Sequence, residues 1–332
     1  MHAIGSVDER IFSVEPSREA LRLAERYGYN WFMVERFIRL LGFPETVELL
    51  DANEEPLPET IRCNDYLIDC GDLVDRLHEK GFTVEPIPFL PHGFEVIESP
   101  FSVGASSEYL KGYYYIQDPG SMLVVYALEP RGGEIILDAA AAPGGKATQI
   151  QQLTRDSSLL VAVDISRSRV RALRSHLQRM GFQSYVIIRG DSRRLTEGLV
   201  FDRILLDAPS SGEGIIRKDP SRKTSRSLRD LRAIHELQYS MLSSLVDRLK
   251  PGGVLVYAAC STAVEEGEYV ISRLLWSRSD VEVEEAGIVG SPGFEEYNGV
   301  EFDPWVRRCR RLWPHRHGTE GFFICRLRRN LS

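Results

Sequence analysis

From residue 134 onward the chain alternates short apolar runs with stretches whose apolar positions recur every three or four residues. The runs predict strands over Glu134–Asp138, Leu159–Asp164, Ser184–Arg189, Asp202–Asp207 and Gly253–Ala258. The amphipathic stretches predict helices over Gly145–Leu153, Arg167–Met180 and Leu228–Leu249. Strand–helix alternation of this kind predicts an α/β fold, a mostly parallel sheet with helices on both faces, and Phe322–Leu327 reads as a late strand of the same sheet. Ahead of it, residues 16–50 are apolar at helical spacing with a break at Gly42-Phe-Pro44, and Asn53–Pro58 reads as a linker. Thr60–Asn64, Phe82–Pro86 and Phe94–Glu98 predict strands and Cys70–Lys80 a helix. A further helix is expected over Ser121–Leu128 with Ser121 as its N-cap. The pattern divides the chain into a helical module (1–52), a small α+β module (58–110) and an α/β domain (111–332).

With 332 residues the chain exceeds a single core. Its 43% hydrophobic and 27% charged content is that of an ordinary globular protein. No apolar run approaches the ~20 residues of a membrane span, and the polar start Met1-His-Ala-Ile-Gly-Ser-Val-Asp-Glu-Arg10 predicts no signal peptide. The five cysteines are odd in number, scattered and without a Cys-x-x-Cys pair. They predict neither a disulfide framework nor a zinc site, and hence a reducing, cytoplasmic interior. The net charge of −7 argues against indiscriminate nucleic-acid binding. Basic charge is nearly all arginine and concentrated after residue 160, which permits a basic groove on an acidic protein; any single cluster equally suits a solvated helix face.

The first strand of the α/β domain runs into Asp138-Ala139-Ala140-Ala141-Ala142-Pro143-Gly144-Gly145-Lys146, a turn of small residues that opens a helix. Tiny side chains let a ligand approach the backbone, and a new helix offers free N–H groups. The segment is neither the phosphate loop of nucleotide hydrolases nor the dinucleotide fingerprint. The second strand ends at Asp164, placed to bind ribose hydroxyls, and the third at Asp191, placed to accept from an adenine amino group. Each acid taken singly suits a helix N-cap. Three at successive strand ends, without a phosphate loop, point to S-adenosylmethionine.

Cys260 follows the apolar run Gly253–Ala259, where a buried strand opens into a loop. Its own neighbourhood fits a nucleophile or a small buried hydrophobe equally. The fourth strand runs into Asp207-Ala208-Pro209-Ser210-Ser211-Gly212-Glu213-Gly214. These segments, with Val163-Asp164-Ile-Ser166 and Arg169, Gly190-Asp191-Ser192, Ala259-Cys260-Ser-Thr262 followed by Glu265–Glu268, Gly112–Ser121, and Pro314–Ile324, resemble the Nop/Sun family of RNA 5-methylcytosine methyltransferases. The resemblance covers about residue 58 to the end, and several ordered segments carry it.

It implies a Rossmann-like methyltransferase domain behind a small RNA-binding module at 58–110. By the same resemblance S-adenosylmethionine is held by Ala140, Ala141, Ala142, Pro143, Gly144, Gly145, Lys146, Asp164, Asp191 and Asp207, with Arg169 supporting the second-strand loop. Cys260 is implied as the nucleophile that adds to carbon 6 of cytosine, Asp207 as the partner of the base's N3/amino edge, and Lys146 as an orienting group. The chemistry asks for these types. Carbon 5 takes a methyl group only after a thiolate has added at carbon 6, and ring protonation accompanies the addition.

One departure stands out: the family's turn after the fourth strand reads Pro-Cys-Ser-Gly, and here Ser210 replaces that second cysteine, which assists product release in the relatives. The expected substrate is a single-stranded or flipped cytosine in transfer or ribosomal RNA, and the protein is expected to act as a monomer without membrane or metal. The arginines between Arg217 and Arg232 suit phosphate contacts or solvent equally. The rival reading, supported by Ser210, is a catalytically idle cofactor-binding protein of RNA or ribosome assembly.

Overall fold

The computed structural model describes Val7 and residues 9–331. Of the polar start read for targeting, residues 1–6 and Asp8 lie outside the described residues. The chain forms two compact units. One holds Pro58–Asp207, Ser244–Val256 and the last residues from Arg329; the other holds the segment ending at Leu57, Ala208–Ser243 and Tyr257–Arg328.

The first unit begins with an antiparallel sheet built from β1 (Glu59–Cys63), β2 (Thr83–Pro86), β3 (Gly93–Glu98) and β4 (Tyr114–Ile116), in the order β2-β3-β1-β4. The helix Cys70–Glu79 packs Leu73 and Leu77 onto Ile61, Phe82, Val84 and Tyr114 of this sheet. Asp69 caps that helix, accepting from the Gly71 amide at 2.8 Å. Strand β4 is absent from the sequence-based reading because Tyr113-Tyr-Tyr115 has no alternation to mark it.

The same unit then builds a parallel sheet from β5 (Ile135–Asp138), β6 (Leu159–Asp164), β7 (Tyr185–Arg189), β8 (Phe201–Ala208, to Asp207) and β9 (Leu249–Ala259, to Val256), in the order β9-β8-β5-β6-β7. Leu137, Leu160, Ala162, Leu205 and Val256 are buried, which is why these strands read as unbroken apolar runs. Parallel register aligns the strand ends, pairing Asp138 with Ala162 and Asp164 with Arg189, so their acids emerge on one edge. The helices Gly145–Leu153 and Arg167–Arg179 connect these strands, as expected.

One expected cap is corrected. The helix before the sheet runs Pro119–Leu128 and is capped by Asp118, whose carboxylate accepts from the Gly120 amide at 2.7 Å. An Asp-Pro pair supplies both a capping acceptor and a preset first-turn φ, so it outcompetes Ser121.

The second unit starts with the helices Arg18–Tyr27, Trp31–Leu41 and Phe43–Glu54. The third of these runs into the stretch read as a linker, which shortens the connection to a few residues after Glu54. Ser17 caps the first, accepting from the Ala20 amide at 3.1 Å, and Gly28 closes it in the left-handed region. Further along lie the helices Leu228–Val246 and Glu268–Ser277 and strands β10 (Val281–Glu284), β11 (Ser291–Pro292), β12 (Glu296–Tyr297), β13 (Val300–Glu301), β14 (Arg310–Leu312) and β15 (Phe322–Arg329). Strand β14 lies antiparallel between β11 and β15, with Arg311 opposite Phe323. No helix among the described residues is long and apolar enough to cross a membrane.

The expectation of no disulfides is corrected. Cys63 bonds Cys70 with Cα atoms 5.9 Å apart, and Cys309 bonds Cys325. Spacing hid both pairs: each joins a cysteine at or beside a strand to one brought near by the fold. Cys260 is the cysteine outside these bonds. Thiol titration of the denatured, unreduced protein should therefore count one reactive thiol. Cys63→Ala should lower unfolding stability by about 2 kcal/mol, as closing so short a loop predicts, and reductant should lower the wild-type melting temperature further because it opens both bonds.

Candidate active site

In the first unit the turn after β5 is built to come close to something. Ala139, Ala141 and Ala142 are buried and hydrogen-bonded into the sheet, Ala139 N–H to Leu205 O at 2.9 Å and Ala141 N–H to Val163 O at 2.8 Å. Gly144 has φ 119°, conformationally open to glycine, and opens the helix with no side-chain cap on its amides. A Cβ at Gly145 would stand 3.3 Å from the Tyr115 ring. Asp164 accepts from the amides of Ser166 at 2.8 Å and Ala142 at 3.3 Å, while the Arg169 guanidinium donates to Ala142 O. His176 Nδ1 lies 2.8 Å from Pro143 O. Asp164 and Arg169 thus clasp the alanine turn from the neighbouring strand end.

Asp138 is 1% exposed, and neither of its carboxylate oxygens meets a partner at hydrogen-bond geometry. Burial first, and the Asp207 carboxylate second, push its pKa up to about 7; Lys146 and the Ala140 amide offset this only in part. Lys146 Nζ donates to Asp207 Oδ2 at 2.9 Å, with the Asp207 side chain 30% exposed. Asp191 caps the short turn Ser192–Arg194 and is gripped by the Arg193 guanidinium, whose hydrogen bonds hold its pKa below the usual range. The capping role weighed for Asp191 is therefore realised.

This set suits an adenosine ligand with a cationic tail. It offers an unpartnered buried carboxyl, further carboxylates at strand ends, uncapped helix amides and no side-chain bulk between them.

Arg62 is fully buried and underpins the turn. It donates to Gly145 O, Thr148 Oγ1 and Gln152 Oε1, each at 2.9 Å, and to Gln117. Nothing in its strand pattern distinguishes it from an outward-facing residue.

In the second unit, Cys260 is half-buried and its Sγ lies 3.7 Å from Glu320 Oε2. Lys218 Nζ sits 2.5 Å from the other Glu320 oxygen. The loop is held by backbone contacts: Gly214 N–H donates to Cys260 O at 3.2 Å and Gly321 N–H to Gly214 O at 2.9 Å. A Cβ on Gly214 would stand 1.9 Å from Gly321 O, and one on Gly321 would stand 2.7 Å from Thr262 Cγ2, so only glycine fits at either. Ser210 turns its hydroxyl to Cys260 O at 3.3 Å.

A buried carboxyl ties the turn after β8 to the Cys260 loop. Glu266 accepts from the Ser211 amide at 2.8 Å, from the hydroxyls of Ser211 and Ser261, and from Gln238 Nε2 at 3.0 Å. Burial and then Glu213 push its pKa up to about 7, against those hydrogen bonds. Beside it the buried Arg36 guanidinium, from the helix Trp31–Leu41, meets Glu213 and both oxygens of Glu265, at 3.1 and 3.2 Å. Burial works against the charge on Arg36, but these two carboxylates outweigh it and hold its pKa above the usual value.

The arginines weighed for phosphate contact are mostly engaged within the protein. Arg217 donates to Glu55 O at 2.8 Å, Arg222 binds Asp219, and Arg232 lies over the Phe12 ring.

The family profile described as 16S rRNA methyltransferase RsmB/F matches residues 125–328, and that of the N-terminal domain of 16S rRNA methyltransferase RsmF matches residues 32–119. The chain belongs to the RsmB/F rRNA methyltransferase family. The resemblance read from the motifs is borne out, and with it the Rossmann-like fold. A curated relative, the 25S rRNA (cytosine-C(5))-methyltransferase nop2 of Schizosaccharomyces pombe, is 38% identical over 91% of this chain and 51% of its own length. The chain thus spans about half the length of that relative. The solved methyltransferase homologue from Pyrococcus horikoshii is 37% identical with a TM-score of 0.86, covering 94% of this chain and 99% of that one. NSun6 from Pyrococcus horikoshii, solved with the S-adenosylmethionine analogue SFG, is 25% identical with a TM-score of 0.79, over 90% and 97% of the two chains. RsmB/F methyltransferases use S-adenosylmethionine.

Glu320, Lys218, Glu266, Arg36 and Arg62 were not singled out from sequence. Glu320 had a signal: it directly precedes Gly321-Phe-Phe in the segment matched to the family's closing element.

The folded protein holds a proton on Glu266 between about pH 4.5 and 7, where the unfolded chain does not, so its contribution to stability is present below this window and is lost as pH rises through it. Melting temperatures across that range should fall less for Glu266→Gln than for wild type, the difference reflecting about 1.4 kcal/mol per pKa unit. Asp138→Asn should weaken binding of the cofactor most above pH 7, where Asp138 ionises and can face a cation, and isothermal titration at pH 6 and pH 8 reads that difference.

Proposed function

We propose that this chain methylates carbon 5 of cytosine in ribosomal RNA, with S-adenosylmethionine as methyl donor and Cys260 as covalent nucleophile. The observation that carries the reading is the Cys260 thiol, outside either disulfide and half-exposed on a loop pinned by Gly214 and Gly321. The cytosine-C5 rRNA methyltransferase similar over 91% of the chain supports ribosomal over transfer RNA.

In this reading the thiolate adds to carbon 6 while N3 takes a proton across the edge that Asp207, held by Lys146, hydrogen-bonds, and N3 gives that proton back the same way when the thiolate leaves. The cofactor supplies an electrophilic methyl group to the resulting enamine. Loss of the carbon-5 proton, through Ser210 or water, restores the double bond and expels the thiolate. Ala140–Lys146, Asp164, Asp191 and Asp207 hold the cofactor, with Arg169 bracing the turn. The helical (1–52), α+β (58–110) and catalytic (111–332) segments act as three modules on a single-stranded or flipped cytosine, in a monomer. A cytoplasmic setting fits the reaction, although the two disulfides remove the cysteine argument for a reducing interior.

Ser210 in place of the relatives' second cysteine favours the one serious alternative, an idle cofactor-binding protein of ribosome assembly. Incubation with ribosomal RNA and tritiated cofactor separates the two. Methyl transfer to cytosine, and an RNA adduct on denaturing gels that Cys260→Ala abolishes, are the expected results. No transfer to ribosomal or transfer RNA would establish the alternative, and an adduct persisting in the alanine variant would remove Cys260 from the mechanism.

A further inference from the structure

A thiol attacks poorly until its proton leaves, and free cysteine ionises near ~8.5, so a nucleophilic Cys260 needs somewhere to send that proton. We propose that Glu320 is the base that takes it. The inference rests on Cys260 being the nucleophile and assigns its activating group.

The geometry is specific. Glu320 is 6% exposed, and Oε2 lies 3.7 Å from Sγ, within reach for an S–H···O contact. The other carboxylate oxygen is held by Lys218 at 2.5 Å, which fixes which oxygen faces the sulfur. Backbone constraint places the pair, since Glu320 is the residue before Gly321, whose amide is bonded to Gly214, whose amide in turn bonds the Cys260 carbonyl. The other buried acids of this unit near the loop are committed elsewhere. Glu213 and Glu265 face Arg36, and Glu266 is taken up by Ser211, Ser261 and Gln238.

In the forward step the S–H bond breaks, the proton passes to Glu320 Oε2, and the sulfur lone pair forms the bond to carbon 6. When the carbon–sulfur bond later breaks, the departing thiolate recovers that proton from the Glu320 carboxylic acid. No outside acid or base is consumed on the sulfur side.

The test uses the full chain and needs no RNA. Cys260 is the cysteine outside the disulfides, so iodoacetamide under non-reducing conditions reports on it. Wild type should alkylate at a rate nearly level from pH 6 to pH 8. Glu320→Gln should react at least tenfold more slowly at pH 6.5 and gain about tenfold per pH unit toward ~8.5, closing the gap as the thiol ionises unaided. Glu320→Asp should retain part of the level profile, which loss of folding would not allow. Equal or faster alkylation of Glu320→Gln at pH 6.5 would overturn the proposal, because the carboxylate would then only repel a thiolate. A uniform loss with unchanged pH dependence would overturn it too, leaving Glu320 a packing residue. Absence of RNA methylation by wild type would refute the proposed reaction while leaving the alkylation result to stand alone.

Discussion

Three backbone segments meet without side chains between them at Gly214, Cys260 and Gly321, and the surroundings of the thiol follow from that meeting. A single methyl group on Gly214 would overlap the Gly321 carbonyl, at 1.9 Å, so the contact tolerates no other residue. Backbone-to-backbone hydrogen bonds fix the loops more tightly than side-chain contacts, because they leave no rotamers to freeze. Glu320 stands next to Gly321, with its Oε2 3.7 Å from Sγ. Lys218 follows one turn later in the segment, with its amide bonded to Ile215 O at 2.9 Å.

The two units treat their acids in opposite ways. Around the alanine turn Asp138 is left buried and unsatisfied, with Lys146 directed to Asp207. An uncompensated carboxyl in a dry site is costly in isolation and persists where a positively charged ligand can offset it. Around the cysteine loop Glu213 and Glu265 are met by the Arg36 cation, and Glu266 is held by serine hydroxyls and amides. The first arrangement leaves a buried carboxyl without a hydrogen-bond partner; the second holds a loop still.

Much of this was legible in the chain. Buried parallel strands announce themselves as unbroken apolar runs, and the acids at Asp138, Asp164 and Asp207 sit where those runs end. The small-residue turn and the cysteine after β9 were visible for the same reason. What stayed hidden depends on partners distant in sequence. Arg62 looks like any strand cation until its neighbours on the helix Gly145–Leu153 are known. The bonds Cys63–Cys70 and Cys309–Cys325 follow from geometry that no spacing rule encodes. Asp118 was missed because Ser121 was an equally good capping type; the adjoining Pro119 should have decided between them.

Arg36 has a consequence for how the chain can be divided. It comes from the amino-terminal helices, yet its guanidinium is the counter-charge to carboxylates that flank the Cys260 loop, with all three side chains about 1% exposed. Cutting away those helices to isolate a minimal catalytic fragment would strand two anions in a low-dielectric interior, a loss in the range of ~3–5 kcal/mol. The helix Trp31–Leu41 is accordingly part of the electrostatic scaffold of the Cys260 loop, and any trimmed version would have to carry its own substitute for that one cation.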